Sequence, residues 1–135
     1  VLTPSGGALK QMLPAFQLGA GARFGKGRRF MSWIDHDDLL SLLLFCIVHD
    51  NMEGPVNATA PAPVSNDNFS RILGKILKRP VIFSIPDLII ETALGEMGTE
   101  MLLSSAKVIP QIMEDRGFEF RYPKLEESLA FQLGK

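Results

Sequence analysis

Cysteine is almost missing from this sequence: Cys46 is the only one, and it lies inside the apolar run LLLFCIV. That excludes an internal disulfide framework and a multi-cysteine metal site, and fits a reducing, cytoplasmic setting. Long apolar runs are missing too. The longest, Leu42 to Val48, is far below the roughly 20 residues that a membrane-spanning helix requires. There is no excess of one charge: 14 basic and 15 acidic residues leave a net charge of −1, so no long-range field favours nucleic acid or an anionic membrane. An initiator Met and the charged-then-apolar pattern of a secretory signal are also absent, so the opening Val1-Leu2-Thr3-Pro4 reads as the middle of a longer protein. One Cys and two His, in these contexts, support no Ser/His/Asp or Cys/His nucleophile arrangement.

What is present suits one globular domain. A chain of 135 residues with 46% apolar and 21% charged composition can bury a real core but is short for a two-domain enzyme. The first 29 residues are glycine-rich, with Gly19-Ala20-Gly21 and Gly25-Lys26-Gly27 close together, and read as a short helix near Ala8 to Leu13 followed by irregular loop. Phe30 to Ile34 reads as a short strand. Asp35, His36, Asp37 and Asp38 then supply the N-cap and acidic first turn of a helix running to about Asp50. That helix has almost no polar face between Leu39 and Val48, so it must be covered on all sides. Part of it is therefore expected to pack on a domain outside this chain.

Further along, Val56 to Thr59 reads as a strand and Pro61-Ala62-Pro63 as a loop. Ser65 or Asn66 caps a helix whose Phe69, Ile72, Leu73, Ile76 and Leu77 form one apolar stripe, and Pro80 prevents its continuation. Val81 to Ile85 reads as a strand, Pro86 to Leu94 and Glu96 to Leu103 as helices, and a helix starting at Pro110 is closed by Gly117. Phe118 to Tyr122 alternates as a strand, and Leu125 to Leu133 reads as a terminal helix. The fold class is mixed α/β, helix-rich with short scattered strands.

Gly21 to Gly27 superficially resembles a phosphate loop, but Ala20 holds the first glycine position and Gly27 the Ser/Thr position, so the fingerprint fails. The Asp35 to Asp38 cluster could hold a metal or act as acid and base, but its place at a helix start favours capping. Cys46 and His49 lack the third ligand that zinc wants; Cys46 reads as core and His49 as a helix-end residue meeting the last carbonyls. The densest basic group is Lys26, Arg28 and Arg29, interleaved with glycine and followed by Phe30 and Trp33. Such a group can grip a phosphate or carboxylate by bidentate hydrogen bonds, or form a solvated turn with an aromatic anchor.

Five segments taken in order, PSGGALKQMLPAFQLG, GRRFMSWIDHDDLL, GPVNATAPAPVSN, GEMGTEMLLSS and GFEFRYPKLEESL, resemble the second half of an epimerase-like subgroup of the extended short-chain dehydrogenases. The resemblance runs from about Leu2 to Leu129. It implies that residues 1–135 are a C-terminal, substrate-side lobe, with a Rossmann half that binds NAD(P), NADP foremost, outside this chain. In that family a Tyr-x-x-x-Lys pair does the proton and hydride chemistry. Here Tyr122 is followed four residues later by Glu126, so the pair is not carried over, and the chain alone is not expected to be an enzyme or to bind cofactor. The family usually has Ser-Trp-Ile-His, a hydrophobic residue, then Asp-Asp, where this chain has Asp35 and His36, so no role of the family histidine is carried over.

What the resemblance implies for a site is substrate binding by Gly25, Lys26, Arg28, Arg29 and Trp33, with no catalytic, cofactor or metal residues in this chain. The expected partners are the chain's own Rossmann domain and a small, nucleotide-sugar-like substrate, with self-association as a further expectation. Some relatives carry a cell-division-inhibitor label that no feature of the sequence supports. The alternative, from another class, is a non-catalytic interaction module that binds a protein through an exposed apolar face.

Overall fold

The computed structural model describes residues 1–24, 28–89, 92 and 106–135. Along the chain these form α1 (Gly7–Gln17), β1 (Ala22–Phe24), β2 (Phe30–Met31), α2 (His36–Val48), β3 (Val64–Ser65), α3 (Asn66–Ile76), β4 (Phe83–Ile85), α4 (Gln111–Asp115) and α5 (Leu125–Gln132). Mixed α/β with short strands is what the sequence implied. The strands pair in twos: β1 runs parallel to β4 with Ala22 opposite Phe83 and Phe24 opposite Ile85, and β2 runs antiparallel to β3 with Phe30 opposite Ser65.

Two hydrophobic clusters form the interior. The larger joins α1, α3 and α5 through Leu9, Met12, Leu13, Phe16, Phe69, Ile72, Leu73, Leu125 and Leu129, with Leu2, Trp33 and Ala60 filling the gaps. The smaller gathers Ile34, Leu42, Met113 and Phe118, edged by Leu39, Phe45, Cys46, Val56, Ala58 and Phe120. Trp33 and Ile34 are consecutive residues of an extended segment, so their side chains leave on opposite faces. One therefore enters each cluster. Their carbonyls are fixed by single contacts, Ala60 N–H to Trp33 O at 2.6 Å and Leu2 N–H to Ile34 O at 2.8 Å, which is why the strand read over Phe30 to Ile34 is a ladder only at its first two residues.

Helix α1 continues through Pro14 to Gln17, past the short helix expected near Ala8 to Leu13. Proline costs the interior one hydrogen bond, but Leu9, Met12, Leu13 and Phe16 stand at i, i+3, i+4 and i+7 and are all buried, and that face decides the length. In α3 the Ser65 hydroxyl accepts the Asn68 N–H at 3.2 Å, the cap read from sequence. Gly74 sits in the last turn of α3 because a Cβ there would lie 2.5 Å from Val81 Cγ2 and 2.9 Å from Arg79 O.

Three strand readings need correction. Val56 to Thr59 is not a strand. Its alternation is real, with Val56 and Ala58 on the smaller cluster, but an extended segment becomes a strand only by pairing, and no described strand runs beside it. Phe118 to Tyr122 is likewise no strand, because the N–H groups of Arg121 and Tyr122 go to the Asp38 carboxylate and not to a neighbouring strand. In the other direction, β1 lies inside a stretch read as irregular loop. The helix read over Pro86 to Leu94 is visible at residues 87–89 and 92; its remainder and the helix read over Glu96 to Leu103 lie outside the described residues.

Helices α3 and α4 both end in the same hydrogen-bonded turn. After α4, Gly117 (φ 82°) takes the left-handed position, and the Phe118 N–H reaches Met113 O at 2.9 Å, as its glycine foretold. After α3 the same position is held by Lys78 (φ 54°), with Arg79 N–H to Gly74 O at 2.9 Å. A lysine there bears a steric cost that glycine does not. Lys78→Gly is therefore expected to stabilise the fold by up to about 1 kcal/mol, read as a higher midpoint in urea with an unchanged slope.

Candidate functional site

The basic loop between β1 and β2 is the segment singled out for binding. Gly25 and Lys26 lie outside the described residues, Arg28 is exposed and Arg29 is half-buried. Both ends of the loop are anchored. At its start Arg23 Nη1 meets Asp67 Oδ1 at 3.0 Å, and Asp67 Oδ2 also takes Arg71 Nε at 2.9 Å. At its end the Arg29 carbonyl accepts the Asn66 N–H at 2.8 Å, tying the loop to the first residue of α3. The Arg29 guanidinium donates from Nη2 to Asp87 Oδ2 at 2.9 Å, with about a third of each side chain exposed. A pair this exposed adds little stability, but it aims the guanidinium and sets a carboxylate beside it. Nothing in the sequence around Asp87 announced that partnership, which spans 58 positions.

Trp33 is placed differently from the rest of the group. It is 3% exposed, belongs to the larger core, and donates its indole N–H to Ala62 O at 2.8 Å. It anchors the stretch that follows the loop. Beside the loop, Lys107 Nζ stands 5.0 Å from the centre of the Phe30 ring, within cation–π range.

The acidic cluster resolves into structural roles. Asp35 caps α2, its Oδ1 accepting the Asp37 N–H at 2.8 Å. Being fully buried, it also accepts the Ser128 hydroxyl on Oδ2 at 2.5 Å, and Gln132 Nε2 lies 3.2 Å from both oxygens. Asp38, 1% exposed, accepts the backbone N–H groups of Arg121 and Tyr122 at 2.8 and 2.9 Å. This second clamp was not foreseen, although Asp35, Asp38 and Leu42 share one face by their i, i+3, i+7 spacing. His49 does meet a late carbonyl, Phe45 O at 2.9 Å, with its ring stacked on Phe45. Cys46 is a half-buried free thiol on the smaller cluster. Among the described residues no group of three or more His, Cys, Asp or Glu could hold a metal ion. No described helix is long and apolar enough to cross a membrane.

Comparison with known proteins gives this geometry its context. Residues 85–131 match the family described as "Domain of unknown function (DUF1731)". A Mycobacterium bovis epimerase family protein, Mb2239, is 41% identical over 131 residues, which is 97% of this chain and 44% of that protein. A chloroplastic SDR39U1 homolog of Arabidopsis thaliana is 38% identical over 96% of this chain. The crystal structure of human epimerase family protein SDR39U1 with NADPH superposes with a TM-score of 0.93 at 30% identity, covering 99% of this chain and 45% of that one. The chain matches the C-terminal part of the epimerase family proteins. It spans less than half the length of the curated relatives it matches. A nucleoside-diphosphate sugar epimerase from Corynebacterium glutamicum shares the fold at a TM-score of 0.69 and 34% identity, over 98% of this chain and 24% of that one.

Tyr122 gives its N–H to Asp38 and stacks on Phe131 with ring centroids 4.7 Å apart, so it serves packing, and no glycine fingerprint is present.

Removal of the Asp38 carboxylate leaves two backbone N–H groups without an acceptor. At about 1.5–3 kcal/mol for each hydrogen bond to a charged group, Asp38→Ala is expected to destabilise the fold by about 3 kcal/mol. Asp37→Ala, at a half-exposed position where the carboxylate meets only the exposed His36 ring at 3.2 Å, is expected to cost less than about 1 kcal/mol. Thermal unfolding of the two variants checks the contrast.

Proposed function

We propose that this chain is the substrate-side lobe of an NADP-dependent epimerase family protein, contributing recognition while a Rossmann half elsewhere in the polypeptide supplies the redox chemistry. The observation that carries the reading is the superposition of nearly the whole chain on under half of a relative crystallised with NADPH. A lobe of this kind acts by positioning and by excluding water from the substrate. The setting that fits it is cytoplasmic.

Within the lobe, Arg28 and Arg29, with Gly25 and Lys26 of the same loop, are the groups for an anionic substrate. Their chemistry suits a phosphate, which accepts two parallel N–H bonds from one guanidinium. Trp33 contributes from behind by fixing the segment after the loop. A phosphorylated small molecule of nucleotide-sugar type suits that cation pair, and the name of the Corynebacterium neighbour is in keeping with it.

The alternative is a non-catalytic interaction module, and one observation favours it: α2 presents exposed Leu40, Leu43, Leu44, Ile47 and Val48. It requires a stable complex with a second protein and indifference to nicotinamide cofactors.

A fluorescence titration separates the two readings. NADPH should bind the intact parent saturably and show no binding to residues 1–135 alone. In the parent, Arg28→Ala/Arg29→Ala should leave NADPH affinity within about twofold while weakening inorganic pyrophosphate binding by about tenfold or more, the loss of at least one charge-assisted bond. Tight NADPH binding by the chain alone would overturn the division of labour.

A further inference from the structure

Helix α2 carries two apolar stripes. The inner one packs Leu39, Leu42, Phe45 and Cys46 on the smaller cluster. The outer one is Leu40, Leu43, Leu44, Ile47 and Val48, at i, i+3, i+4, i+7 and i+8, and these residues are 54, 50, 59, 78 and 61% exposed. A single exposed apolar side chain needs no explanation, but five at helical spacing on one face are a docking stripe. Between Leu39 and Val48 the only side chain with a polar group able to interrupt the stripe is Ser41, so the face offers a partner no charge and almost no hydrogen bonding. It therefore suits a permanent, dry contact rather than a reversible polar one.

We infer that the outer stripe of α2 is buried against the N-terminal part of the same polypeptide. The length of the relatives singles out this occupant. The chain accounts for 44% of the Mycobacterium bovis protein and 45% of the human chain that it superposes on with a TM-score of 0.93. In a parent of that size more than half of the polypeptide is tethered to this lobe. A tethered surface is present at an effective concentration that a free partner rarely matches. The inference shares the premise of a longer parent with the functional reading, but not the role of Arg28 and Arg29.

Photochemical carbene labelling of the intact parent, read by peptide mass spectrometry, tests it without cofactor or substrate. Leu42, 1% exposed, is the internal standard. Labelling of Leu43, Leu44 and Ile47 is expected at the low level of Leu42, and unchanged on dilution across the range where light scattering shows any self-association to be lost. Protection that disappears on dilution would make the occupant a second copy and overturn the inference. Strong labelling at every concentration would leave the stripe in water and overturn it as well. Because Arg28→Ala/Arg29→Ala does not touch α2, loss of the anion site would leave the footprint unchanged, and the two readings fail separately.

Discussion

Two buried carboxylates hold this lobe together at one point. Asp35 and Asp38 stand one turn apart at the start of α2, and between them they take up the Asp37, Arg121 and Tyr122 N–H groups, the Ser128 hydroxyl and the Gln132 amide. A buried carboxylate without donors would cost several kcal/mol, so these contacts are obligatory. They join the chain across more than 80 positions. The same few residues also divide the interior, because Trp33 and Ile34, just before them, send their side chains into different clusters. The acidic cluster is thus the hinge between a helical core of α1, α3 and α5 and a smaller core under α2.

The two cores are unequal in completeness. The larger one is closed on itself, with Leu9, Leu73 and Leu129 wholly buried. The smaller one ends on α2, whose second apolar face has nothing over it among the described residues, and on a Val56 to Thr59 segment without a paired neighbour. Both features suit a lobe whose relatives are more than twice as long. The basic loop between β1 and β2 hangs from the closed side, fixed by Asp67 and by the Asn66 contact, so its cations are held by the part of the fold that needs no help.

Much of this was legible from local chemistry. The Ser65 cap, the Asp35 cap, the stripe of α3 and the Gly117 turn each depend on residues within a few positions of one another, and each appears where its sequence signal stands. The strands were not legible in the same way, since a ladder needs a partner chosen by the whole fold. Phe118 to Tyr122 has strand alternation, yet its N–H groups go to Asp38. Val56 to Thr59 has it too, yet no described strand pairs with it. Of the loop residues, Arg29 lies at an organised position through Asp87, a contact no sequence window contains, while Trp33 proved to be core. The all-apolar character of α2 was read as a demand for cover, and its outer stripe is uncovered here.

Hydrogen–deuterium exchange, comparing residues 1–135 alone with the same residues in the intact parent, measures the inequality of the two cores directly. Amides of α3 between Phe69 and Leu73 should be strongly protected in both. Amides in the last two turns of α2 should exchange quickly in the isolated chain and slowly in the parent. Equal protection of α2 in both would mean that the lobe is complete by itself, and would contradict the division into one finished and one unfinished core.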